Sequence, residues 1–162
     1  MAVLKLHLEE FDEVDYELIA IHSPLDDFRL AYFINQNLPI ILSRNKDEVA
    51  VSVKEGDAFF SKYTFEETNS TRKWSLIQNK NDISLTQKNT NQNLFLNSTD
   101  LISRKVFLIW EHKKVDYFLK IENNYNELQV EKIVDKLKQI ERISAVYSLI
   151  PENIKSKNNL IF

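Results

Sequence analysis

The chain changes twice from apolar residues on every second position to apolar residues at helical spacing, and this alternation constrains its fold more than any other feature. The spacing predicts helices over 24–36 and 127–141. In the first, Ser23 can cap free amides, and Pro24 fits a first turn, where its missing N–H costs nothing. Asp26 and Asp27 fall in that turn, where the helix dipole favours negative charge. The helix ends among Asn35-Gln36-Asn37, before Pro39. In the second, Asn126 is placed to cap and Gln129 to complete a capping box. Val130, Ile133, Val134, Leu137 and Ile140 form its apolar stripe. Glu131, Lys132, Asp135, Lys136 and Lys138 lie opposite and read as a solvated face.

Strands surround both helices. Leu4, Leu6 and Leu8 alternate with Lys5 and His7 as a half-buried first strand, and Tyr16 to His22 reads as a strand covered on both faces. Ile40-Ile41-Leu42 predicts a short buried strand, and Val49, Val51 and Val53 mark the next. Residues 58–65 and 72–78 are two further strands joined by the polar stretch 66–71. The asparagine-rich segment 79–100 reads as a long, mobile surface loop. Residues 105–110 (KVFLIW) are apolar on both faces and predict a central strand. His112-Lys113-Lys114 turns from it into a strand with Val115, Tyr117, Leu119 and Ile121 on one side and Asp116, Phe118, Lys120 and Glu122 on the other. Residues 143–150 form the last strand, stopped by Pro151.

Strand–helix–strand at both ends, with hairpins between, is the rhythm of an α+β two-layer sandwich. Two main helices would lie on a largely antiparallel sheet, in a ferredoxin-like or related arrangement with an inserted hairpin. The chain of 162 residues has the length of one domain, and 43% apolar against 28% charged residues is enough for a core without metal or disulfide staples. We expect one α+β domain over 1–162.

Several chemistries are excluded by composition. There is no cysteine, hence no disulfide, thiolate zinc site or cysteine nucleophile. The only glycine, Gly56, is too few for a loop that cradles phosphates through backbone amides. No apolar run reaches the ~20 residues of a membrane span, and no secretory signal opens the chain, so the expected location is the cytoplasm. A net charge of −3 argues against gripping nucleic acid by its phosphates.

His22, Ser23 and Asp26 lie close together, but helix capping accounts for Ser23 and Asp26 better than a catalytic set does. His7, His22 and His112 have no spacing that puts two ligands on one helix face, so no metal or cofactor is expected. Phe59, Phe60, Tyr63, Phe65 and Trp74 could form a base-stacking face, although core packing suits them better. The candidate site is a protein interface near a 109–117 hairpin. There Trp110 and Tyr117 would be aromatic anchors among Glu111, Lys113, Lys114 and Asp116.

Three stretches resemble the IPExxDY family of small bacterial proteins: 15–22 (DYELIAIH) with 25–32 (LDDFRLAY), 109–121 (IWEHKKVDYFLKI), and the tail 155–162 (KSKNNLIF). The family has no assigned activity, so the resemblance implies a compartment and a fold rather than a reaction. The expected function is a non-enzymatic cytoplasmic accessory or protein-interaction domain, with an unknown protein partner or a homodimer. The alternative is a small-molecule-binding regulatory domain with a pocket between sheet and helices.

Overall fold

The computed structural model describes residues 14–86, 101–124 and 129–162. Strand β1 (Tyr16–His22) leads into helix α1 (Asp27–Asn37). Five strands follow: β2 (Ser43–Arg44), β3 (Val49–Val53), β4 (Gly56–Phe60), β5 (Lys62–Glu66) and β6 (Lys73–Gln78). After β7 (Lys80–Thr86), β8 (Leu101–Phe107) and β9 (Tyr117–Glu122) come helix α2 (Val130–Lys138) and β10 (Ala145–Leu149). The main sheet has the order β10-β1-β9-β6-β5-β2, antiparallel at every pairing. β1, α1, β6, β9, α2 and β10 follow the β-α-β-β-α-β succession of a ferredoxin-like unit. β2 to β5 are inserted before β6, and the β7–β8 pair before β9.

Both faces of this sheet are covered. Ile19 and Ile21 of β1, with Tyr117, Leu119 and Ile121 of β9, pack under the helices against Leu30, Ala31, Ile34, Ile133, Val134 and Leu137. Their neighbours Leu18, Ala20 and Phe118 point the opposite way, into a second core. That core is closed by the β3–β4 and β7–β8 ribbons through Val49, Ala58, Phe60 and Val106, and by the tail through Ile154 and Leu160. Burying a side chain of this size is worth roughly 1.5–3 kcal/mol, so a strand apolar on every position needs exactly such cover on both sides. The α+β sandwich expected from the sequence is therefore present, with ribbons and tail laid over its far face.

Several expected elements differ. Residues 40–42 are not a strand: the Asn35 side chain takes both backbone groups of Leu42, at 2.8 and 3.0 Å, and Ile41 is 72% exposed. The run 58–65 is cut at Ser61, where the chain leaves one ribbon for the main sheet. Residues 80–86 are strand β7 rather than loop, paired with β8 from Lys80↔Phe107 to Thr86↔Leu101. Residues 105–110 are not a central strand. Val106, Leu108 and Ile109 are buried in the second core, while Trp110 turns outward into a short 3-10 turn over Trp110–His112. The central position belongs to β9, between β1 and β6.

Helix α1 starts three residues later than expected. Ser23 does not cap it: its Oγ accepts from the Leu25 N–H and donates to the Arg142 carbonyl. The expected strand at 4–8, the Asn126 cap and residues 87–100 lie outside the described residues. Gly56 has φ of +142° after the two-residue turn between β3 and β4, a conformation that side-chain-bearing residues rarely adopt.

Candidate functional site

The six residues expected at an interface do not share one surface. β8 pairs with β7 and β9 with β1 and β6, so no 109–117 hairpin exists. Tyr117 is a core residue whose hydroxyl donates to the Leu25 carbonyl at 2.6 Å, and burial drives its pKa upward. Asp116 is a brace: one oxygen accepts from the Ser23 N–H at 2.9 Å, the other from Lys80 Nζ at 2.6 Å. Glu111 holds the tail, accepting from the Ser156 N–H at 2.7 Å and its hydroxyl at 2.6 Å. Burial would raise the Glu111 carboxyl, but those donors keep it below the ordinary value. Trp110, Glu111, Lys113 and Lys114 are exposed, Glu111 with its carboxylate turned to the tail; the Lys113 ammonium lies 5.8 Å from the Trp110 ring centre, and Phe107 meets that ring edge-on.

The other sequence candidates disperse as well. His22 Nε2 lies 3.0 Å from the Tyr147 hydroxyl, away from any Ser23–Asp26 arrangement. Among the described residues, no three His, Asp or Glu side chains converge as a metal set, and no helix is long and apolar enough to cross a membrane. Of the aromatic group, Phe60, Tyr63 and Trp74 are buried and split between the two cores, leaving Phe59 outward.

Two arrangements unmarked in the sequence stand out. The first is Lys120, 3% exposed in the middle of β9. Its ammonium donates to Glu122 at 2.8 Å and to the Leu160 carbonyl at 2.7 Å, and lies 4.8 Å from the ring centres of both Tyr16 and Phe162. Beside it is a cavity of about 310 Å³ bordered by Tyr16, Glu122, Asn158 and Phe162. Glu122 of the same strand offsets the lysine's charge, and the ammonium's bond to the Leu160 carbonyl, with the Phe162 ring beside it, fastens the tail to the sheet.

The second lies on the helix side, where α2 faces the β5–β6 hairpin across a cavity of about 640 Å³. Its floor is set by register: Phe65↔Trp74 and Glu66↔Lys73 close the hairpin and leave Glu67, Ser70 and Arg72 in the connecting turn. Glu67 organises that turn. It accepts from Ser70 Oγ at 2.7 Å, from Trp74 Nε1 at 3.0 Å and from Arg72 Nη1 at 3.1 and 3.0 Å. Burial alone would raise its pKa, and these donors lower it below the ordinary value. Arg72 is only 8% exposed, yet its Nε has no hydrogen-bond partner. Leu38, Pro39, Trp74 and Ile133 give the cavity an apolar wall, and Gln129, Lys132 and Lys136 give it a polar one.

Sequence reasoning placed Lys132 and Lys136 on an ordinary solvated face and Arg72 at the start of a strand. The hairpin itself was legible, and so was the i, i+4 spacing of the lysines. What brings them together is the docking of α2 on the sheet, which no local pattern records. Comparison with protein-family models, with curated proteins and with solved structures returned no match for this chain.

Proposed function

We propose that the chain is a non-enzymatic cytoplasmic accessory domain that binds a small molecule between α2 and the β5–β6 hairpin. The observation that carries this reading is a buried arginine with an unpartnered Nε, lining a cavity of about 640 Å³. Small-molecule sites occupy roughly 300–1,000 Å³ and combine apolar walls with a few placed polar groups. The cavity's polar groups suit holding a ligand: Glu67, its one carboxylate among the described residues, is engaged by three side chains and is poorly available as a base. A cysteine-free composition suits the reducing cytoplasm, and the resemblance to IPExxDY proteins, which have no assigned activity, is compatible with a binding role.

A thermal-shift screen of a metabolite library tests the reading. Hits should raise the melting temperature and displace the Trp74 indole N–H resonance in a ¹H–¹⁵N spectrum. A library whose hits all leave Trp74 and Ile133 unmoved would overturn it.

A second reading, association with another copy of the chain, has its own observation. Among the described residues no strand pairs with the outer edge of β10, and residues 143–150 contain neither charge nor proline. Natural edge strands are ordinarily guarded by such residues. A two-fold dimer would pair β10 with β10 antiparallel. Sedimentation should then show a dimer that Tyr147→Lys with Leu149→Lys converts to monomer; a wild-type chain monomeric at high micromolar concentration would refute it.

A further inference from the structure

The guanidinium of Arg72 presents two hydrogen-bonding edges, and the structure uses only one end of it. Both oxygens of Glu67 are engaged by Nη1, and Arg72 is one of the residues that border the cavity. Nε is buried there without a partner. An unpaired buried donor on a charged group costs roughly 1–3 kcal/mol or more, so it calls for an acceptor. Water could accept that one bond, but the surroundings ask for more than water. Lys132 and Lys136 stand one helical turn apart on α2, on the same wall of the cavity. The ion pair described on α2 joins Lys138 to Asp135 and does not involve them. Among the described residues the only carboxylate in the lining is Glu67, already met by Arg72, Ser70 and Trp74. The cavity is therefore left with cationic donors converging from two elements.

We propose that the group recognised in this cavity is an oxyanion, a phosphate or a carboxylate, drawn to the Arg72 guanidinium and flanked by Lys132 and Lys136. This deepens, and rests on, the small-molecule reading above. Side-on pairing of a planar guanidinium with two oxygens is among the strongest and most directional contacts available to a protein. The apolar wall of Leu38, Pro39, Trp74 and Ile133 would take an uncharged ligand body beside that head group.

The test is a ¹H–¹⁵N titration of the full chain with inorganic phosphate, acetate, phenyl phosphate and, as the uncharged counterpart, benzyl alcohol. Phosphate, acetate or phenyl phosphate should move the Arg72 Nε–H and Trp74 Nε1–H resonances saturably. Response to acetate alone would identify a carboxylate ligand; response to phosphate and phenyl phosphate, a phosphate. Binding should weaken about tenfold in the Lys132→Gln/Lys136→Gln double variant, whose altered side chains are exposed, and by a similar factor in Arg72→Lys. Anion binding of undiminished strength in the double-lysine variant would overturn the proposal even if Arg72→Lys failed to fold. If benzyl alcohol moved the Trp74 resonance and no anion did, the oxyanion would be refuted while the binding reading stood. If none of the four compounds moved either resonance, both would fall.

Discussion

Asn79 is fully buried, and each of its donors is used. Its backbone N–H donates to the Asp116 carbonyl at 2.9 Å, and its amide donates to the carbonyls of His112 and Val115 at 2.9 and 2.8 Å. Its side-chain oxygen accepts from the Ile109 N–H at 2.8 Å, and its own carbonyl from the Leu108 N–H at 2.9 Å. One side chain thus stands in for a sheet ladder across 108–116, which is why this stretch needs no strand partner. Asn79→Ala would leave the Val115 carbonyl and the Ile109 N–H unpaired and remove one of the two donors to the His112 carbonyl, so we expect a loss of about 3 kcal/mol, read as a lower urea midpoint. A loss under about 1 kcal/mol would show that water replaces the amide. In the sequence Asn79 was merely the first residue of an asparagine-rich stretch, because nothing local distinguishes a buried asparagine from a solvated one. Glu111 and Asp116 teach the same lesson: charge beside aromatics looked like an interface, whereas both carboxylates are consumed by distant backbone N–H groups.

At the scale of elements, helices and their apolar stripes were legible, and their ends less so. Gln129 occupies the N-cap of α2 with extended backbone angles but makes no side-chain capping bond. Its longer side chain overshoots the first-turn amides that a serine reaches. Gln129→Ser should therefore stabilise the fold by about 0.5–1 kcal/mol, a small rise in the thermal midpoint; no change would mean that those amides are already satisfied. Strands were legible where one face was apolar, as in β3 and β9, or where both were, as in β1. They were misread where an apolar run crosses between layers, as at 105–110, and where polar residues pair away from the main sheet, as in β7. A ribbon such as β7–β8 draws its stability from its ladder and from one face laid on a core, so half its side chains are free to be polar.

Two carboxylates, the half-buried Glu67 and the exposed Glu111, tie a turn together and the tail to the body of the molecule. Glu67 and Glu111 both have folded pKa values below the ordinary one: burial opposes the shift, and the donors around each of them win. A depressed carboxylate contributes stability that is fully present above its unfolded pKa, about 4.3, and is lost as the pH falls through the folded value. Melting temperature should accordingly fall as the pH drops below the ordinary carboxylate range, and the fall should be shallower in Glu111→Gln with Glu67→Gln than in the wild type. Equal slopes in the two proteins would show that other groups govern acid unfolding. The sequence by itself determined the α+β class, the positions of α1 and α2, the two-sided burial of β1 and the β5–β6 hairpin, because each follows from a period or a turn within a few residues. Only the tertiary structure decided that β9 is central, that ribbons and tail cover the far face, and that Arg72, Lys132 and Lys136 line one cavity. Those facts depend on pairings between residues dozens of positions apart, selected by which surfaces bury best together, and a one-dimensional pattern carries no record of that choice.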